Sequence, residues 1–194
     1  MRRRSFVFID GGVTSTPTPP AGKSVQVSTS GYWQTLSMPS GWQEYRTTST
    51  GAPSGFLIYS DTTTSAYKIE LMTAGLSSRE DGKTGGGVWP DNAMITSVNT
   101  TSTSTYAVYK LFGLDNGKTY TIDVVGSYGN NWGWYTDYRV NGGGTVQTLL
   151  TDNNTSNKKT FANVSPSSGI INVEWKLNSG SNAQINLIIF TEDS

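Results

Sequence analysis

Four aromatic rings, Tyr128, Trp132, Trp134 and Tyr135, are interleaved with Gly129, Asn130, Asn131 and Gly133 in one short segment. Sugar recognition needs this mixture: the apolar face of a pyranose stacks on a ring, while amides bond its hydroxyls. The same rings suit contact with another subunit, where Trp and Tyr are enriched. They also suit a third use, in which Trp132 or Trp134 closes the open end of a β-sandwich. Trp89-Pro90-Asp91-Asn92 offers a further ring with polar neighbours. Read structurally, it is a rigid proline turn with an Asx cap. As sugar-binding candidates these segments give Tyr128, Asn131, Trp132, Trp134, Tyr135, Trp89 and Asp91, with no metal ligand among them.

Other chemistry is removed by absence. The 194 residues contain no His and no Cys, so no imidazole base, catalytic triad, thiolate or zinc ribbon can be built. A glycosidase could still work with two carboxylates. The candidates Glu44, Glu70, Asp91, Asp137 and Glu174 show no spacing that pairs two of them across a cleft, so we expect no enzyme. Oxygen ligands such as Asp10 and Asp152 could hold calcium, but no loop has the dense acids of a dedicated site, and no cofactor is expected. Fourteen Lys and Arg against fourteen Asp and Glu give no excess charge for phosphate neutralisation, so no nucleic-acid partner is expected. No apolar run approaches the roughly 18 residues of a membrane helix. Arg79-Glu80-Asp81-Gly82-Lys83 reads as a solvated loop. The triplets at Asn99, Asn153, Asn154 and Asn163 follow from a composition rich in Asn, Ser and Thr.

The elements that must position the rings read as β-strands. In 170–177, Ile171, Val173, Trp175 and Leu177 share one face, and Asn172, Glu174 and Lys176 the other; 119–124 alternates in the same way. Further strands are expected at 5–9, 24–28, 55–60, 66–72, 106–112, 136–140, 146–150 and 183–190, the last covered on both faces. Gly, Asn, Asp and Ser clusters separate them, as at Asp115-Asn116-Gly117 and Asn141-Gly142. No window supports a long helix, although Pro90 can set up one short turn at 91–94. The expectation is an all-β, two-sheet antiparallel sandwich of jelly-roll form. Trp175 belongs in its core, and Trp33, Trp42, Tyr32 and Tyr45 in half-exposed loop packing. Residues 1–12 read as an arm running into the first strand and 13–194 as one sandwich domain.

Several segments together resemble the malectin-like or galactose-binding-like β-sandwich, a carbohydrate-binding-module type of domain. They are Phe6-Val7-Phe8-Ile9-Asp10-Gly11-Gly12 with the Thr-Pro-Gly turn over 14–22, Pro90-Asp91-Asn92-Ala93-Met94, Leu114-Asp115-Asn116-Gly117-Lys118-Thr119-Tyr120, Tyr138-Arg139-Val140-Asn141-Gly142, and the run 161–175. The opening Met1-Arg2-Arg3-Arg4 resembles structural proteins of phages of Bacteroides-type gut bacteria, which carry no secretion signal. The resemblance implies a non-enzymatic virion component of head-fibre, decoration or tail-fibre type. It would be a homo-oligomer located in the virion, partnered by other virion structural proteins and by glycans of the host surface. Arg2, Arg3, Arg4 and Phe6 would make assembly contacts, as a strand added to a neighbour's sheet. Two alternatives stay open: a decoration protein without sugar binding, and a bacterial carbohydrate-binding protein at the cell surface or in the cytoplasm.

Overall fold

A computed structural model describes residues 23–30, 37–46, 50–51 and 53–193. Arg2, Arg3, Arg4, Phe6, the strand expected at 5–9, Asp10, the proline-rich 14–20, Tyr32 and Trp33 lie outside the described residues. In chain order the elements are β1 (Ser24–Ser30), β2 (Trp42–Arg46), β3 (Lys68–Leu71), β4 (Ser77–Arg79), α1 (Asp91–Met94), β5 (Ser97–Thr100), β6 (Ala107–Phe112), β7 (Tyr120–Val125), β8 (Tyr135–Val140), β9 (Gln147–Leu150), β10 (Lys159–Val164), β11 (Ile170–Ser179), β12 (Ala183–Ile185) and β13 (Leu187–Glu192).

Two five-stranded sheets, β10-β7-β13-β1-β2 and β3-β6-β11-β8-β9, face each other, and the short strands form a third sheet, β12-β5-β4. From β6 onward the chain passes repeatedly from one large sheet to the other, which is the winding of a jelly roll. The expected all-β sandwich is therefore the observed one. Among the described strands one pair departs from the antiparallel rule: β2 runs parallel to β1, with Val27 opposite Gln43.

The alternation that marks β11 places Ile171, Val173, Trp175 and Leu177 in the core against Val25, Val27, Ile122 and Ile188 of the facing sheet. Trp175 stacks on Tyr109 with ring centroids 5.0 Å apart. Glu174 lies on the outer face yet is buried, because Arg139 covers it at 2.7 Å and the Gly142 N–H donates to it at 2.6 Å.

Three expectations are corrected. Residues 55–60 form no strand: the Gln43 side chain bonds both the N–H and the C=O of Ile58 at 2.8 Å, taking the groups a neighbouring strand would use. The run 183–190 is two strands, broken at Asn186. Trp42 and Tyr45 are buried, because β2 is covered on both faces. Trp42 packs with Met94, Val125 and Leu187, and Tyr45 enters the inter-sheet core.

Candidate functional site

The rings predicted to share a site do meet. Tyr128 and Trp134 stack with centroids 4.3 Å apart and planes 14° apart. Trp132 leans on both, 5.6 Å from Tyr128 and 5.2 Å from Trp134, tilted by 51° and 57°. Their exposure separates them: Tyr128 is 2% exposed and Trp134 4%, whereas Trp132 is 64% exposed. The stacked pair is thus a support, and Trp132 is the ring it holds toward solvent. Tyr135 is 38% exposed on the outer face of β8, beside Leu150 of the edge strand β9. Asn131 is exposed on the same loop as Trp132.

Local backbone chemistry explains this division. β8 faces the core with Thr136, Tyr138 and Val140, and continuing the alternation back by two residues brings Trp134 inward. The Trp134 C=O accepts the Thr151 N–H at 3.0 Å, which extends the β8–β9 ladder by one pair. Gly133 has φ +75°, a left-handed conformation that breaks the strand and frees Trp132 from its alternation. Gly180, at φ +97°, lies against Trp134: a Cβ there would come 2.3 Å from the ring's Cδ1, so only glycine lets the β11–β12 turn close over it.

Beneath the loop lies a buried amide network. Asn186 donates to the carbonyls of Met94 at 2.7 Å and Thr96 at 2.8 Å, and its side-chain oxygen accepts the Ser127 N–H at 2.7 Å. The Ser127 hydroxyl donates to the Asn154 C=O and accepts the Lys83 N–H. Asn154 in turn bonds the Gly126 C=O and the N–H of Asn157. Three loops, near 82, 127 and 154, are tied together by three side chains whose polar groups are satisfied.

Two charged groups border the rings: Arg79, which the sequence placed in a solvated loop, and Asp152, which it offered only as a calcium ligand. Arg79 is not in a solvated loop. Its guanidinium lies 5.6 Å from the Tyr128 ring centroid and 5.8 Å from that of Trp134, and it pairs with Asp81 at 2.8 Å. The bond to Asp81 holds its pKa above the ordinary guanidinium value. The Asp81 C=O accepts the Gly129 N–H at 2.6 Å. Asp152 pairs with Tyr128 through its backbone and accepts the Gly133 N–H through Oδ2. Asp152 is 8% exposed, and among the described residues its Oδ1 has no hydrogen-bond partner, nor has Asp81 Oδ1. β4 reads Ser-Ser-Arg and has no apolar period, so nothing in sequence placed Arg79 on a strand. Asp152 sits in a run of turn formers, and only the pairing of β8 with β9 brings it to Gly133.

The second predicted segment is placed differently. Trp89 is half-buried and packs against the cluster of Trp42, Met94 and Leu187. Asp91 opens α1 and accepts the Gly85 N–H at 2.7 Å; Pro90 sits at the N-cap, as in the proline-turn reading, but no side chain caps the helix, so the Asx cap is not formed. Of the carboxylates weighed for hydrolysis, Asp137 accepts from Thr148 and Asn178, Glu174 pairs with Arg139 and Glu44 with Arg46. Among the described residues no three acidic side chains converge on a point that could hold a metal ion.

No protein-family model matches the chain, and no curated protein matches it. Among solved structures it is similar to TmCBM61, determined in complex with beta-1,4-galactotriose. The identity is 13% and the TM-score 0.33, over 66% of this chain and 88% of that chain.

Proposed function

We propose that the protein binds carbohydrate non-enzymatically through the Tyr128–Tyr135 loop, with Trp132 as the stacking ring. The observation that carries this reading is an indole 64% exposed to water yet rigidly backed by a stacked Tyr–Trp pair. A free-standing exposed Trp is costly to solvate, and a pre-positioned one binds a sugar face with little ordering entropy left to lose. One platform ring gives weak affinity, so many copies acting together are needed for firm attachment. Repetition on a virion would supply them; that setting rests on the Arg2–Arg4 opening and its resemblance alone.

The test is capture of the intact protein, displayed multivalently, on a panel of host and plant polysaccharides. The reading expects capture by at least one neutral glycan and its loss in Trp132→Ala; a fully negative panel refutes it. A second reading is favoured by one observation: exposed Tyr135 and Leu150 face each other at the free edge β9. Such a pair suits contact with another subunit, and sedimentation of wild type against Leu150→Lys distinguishes it. Dissociation in the variant supports a subunit contact there, and an unchanged monomer removes it.

A further inference from the structure

We infer that the Trp132 site selects neutral sugars and rejects those carrying a carboxylate or sulfate, and that Asp152 is the residue that selects. The inference rests on the carbohydrate reading and adds the ligand's charge class.

The charges around the platform do not balance. On the Tyr128 side, Arg79 is paired with Asp81, and the formal charges of Arg79, Glu80, Asp81 and Lys83 cancel. Asp152, whose backbone pairs with Tyr128, has no ion-pair partner among the described residues, so it adds one uncompensated negative charge. Its position is fixed: Oδ2 takes the N–H of Gly133, the residue between Trp132 and Trp134. The carboxylate is thus held against the backbone of the residue that follows the platform ring, and a sugar stacked on Trp132 lies within its field.

Burial strengthens the effect. At 8% exposure Asp152 is poorly screened by water and salt, so its field reaches a ligand at the loop more fully than a surface charge would. The side-chain oxygens left without partners beside the rings, Oδ1 of Asp152 and of Asp81, are acceptors only. Both atoms are buried, so they touch no ligand directly, and what acts on an anionic group is the charge of Asp152. Among the described residues, Arg79 is the cation that lies over the stacked rings, and it is engaged by Asp81, by the Tyr128 hydroxyl at 3.3 Å and by the ring faces. Rejection of the wrong ligand by like charge is a common source of specificity.

The experiment uses matched polymers. A neutral polysaccharide that the wild-type protein binds is oxidised at C6 to its polyuronate, and part of that product is methyl-esterified to remove the charge again. Wild type is expected to lose about tenfold or more in affinity for the polyuronate and to recover it on esterification. In Asp152→Asn, which keeps an acceptor for the Gly133 N–H, the ratio of neutral to oxidised affinity should fall to within about threefold. Equal wild-type affinity for the neutral and oxidised polymers overturns the inference and leaves carbohydrate binding intact. A loss that neither esterification nor Asp152→Asn relieves also overturns it, because the cause is then a lost hydroxyl contact. If Asp152→Asn does not fold, the esterification arm decides alone. Failure to bind any neutral or oxidised polymer defeats the carbohydrate reading itself, and this inference with it.

Discussion

At the scale of single residues, Trp132 and Trp134 are two positions apart and have opposite duties. Trp134 fills the end of the core under the Gly180 turn, so Trp134→Ala should cost about 3–5 kcal/mol, the usual range for a buried Trp. A fall in the denaturant midpoint measures it. Trp132→Ala removes a ring that is mostly in water, so its unfolding midpoint should stay within about 0.5 kcal/mol of wild type while sugar capture is lost. Equal destabilisation by both variants would contradict the assignment of support and platform. The cluster of rings was legible in sequence from its interleaving with Gly and Asn. Which ring faces out was legible only in part: extending the β8 alternation back to 134 turns Trp134 inward, but the release of Trp132 depends on the positive φ of Gly133. The place of Asp152 beside the rings was not legible, because its meeting with Gly133 is a cross-strand event.

At the scale of elements, strands with a strict two-residue period were read correctly, as in β11 and β7. Four strands without one were missed: β2 sends Trp42 and Tyr45 to opposite faces, β4 and β5 are built from Ser, Asn, Thr and a single Arg or Val, and in β10 Phe161 and Val164 are three residues apart. Asn186 shows why a continuous apolar run can hide a break. It interrupts 183–190 to serve three loop groups, and Asn186→Ala should leave the Met94 and Thr96 carbonyls and the Ser127 N–H without partners. The expected cost is on the order of 3 kcal/mol, read from chemical denaturation, together with faster exchange of the amides near 82, 127 and 154. A different element carries the pH dependence. Glu192 at the end of β13 accepts from Lys118 and from the Tyr67 hydroxyl, each at 2.9 Å, and these bonds, Lys118 first, hold its carboxyl below the ordinary glutamate value. Burial pushes the Tyr67 phenol far up, so it remains a donor. Because the folded pKa of Glu192 is depressed, its stabilisation is present above the unfolded value of about 4.3 and is lost as pH falls through the lower, folded one. Thermal melts between pH 6 and pH 3, on the order of those limits, should show a smaller acid loss in Glu192→Gln than in wild type; identical acid profiles would exclude this contribution.

At the scale of the molecule, a chain with no His, no Cys and no net charge has few routes to proton transfer, thiol chemistry or phosphate capture. What it has is a jelly-roll sandwich whose two sheets share one core, with a triplet of rings gathered where β7, β8 and β9 reach one end. The rigid amide network beneath that end suits recognition by a preformed surface. The central claim is that this surface is a sugar platform with Trp132 at its face. Calorimetric titration of the intact protein with the polysaccharide that captures it tests the claim most directly. Saturable binding by wild type, weakened at least about tenfold in a Trp132→Ala variant that melts like wild type, is the predicted result. Binding that survives Trp132→Ala unchanged would contradict it.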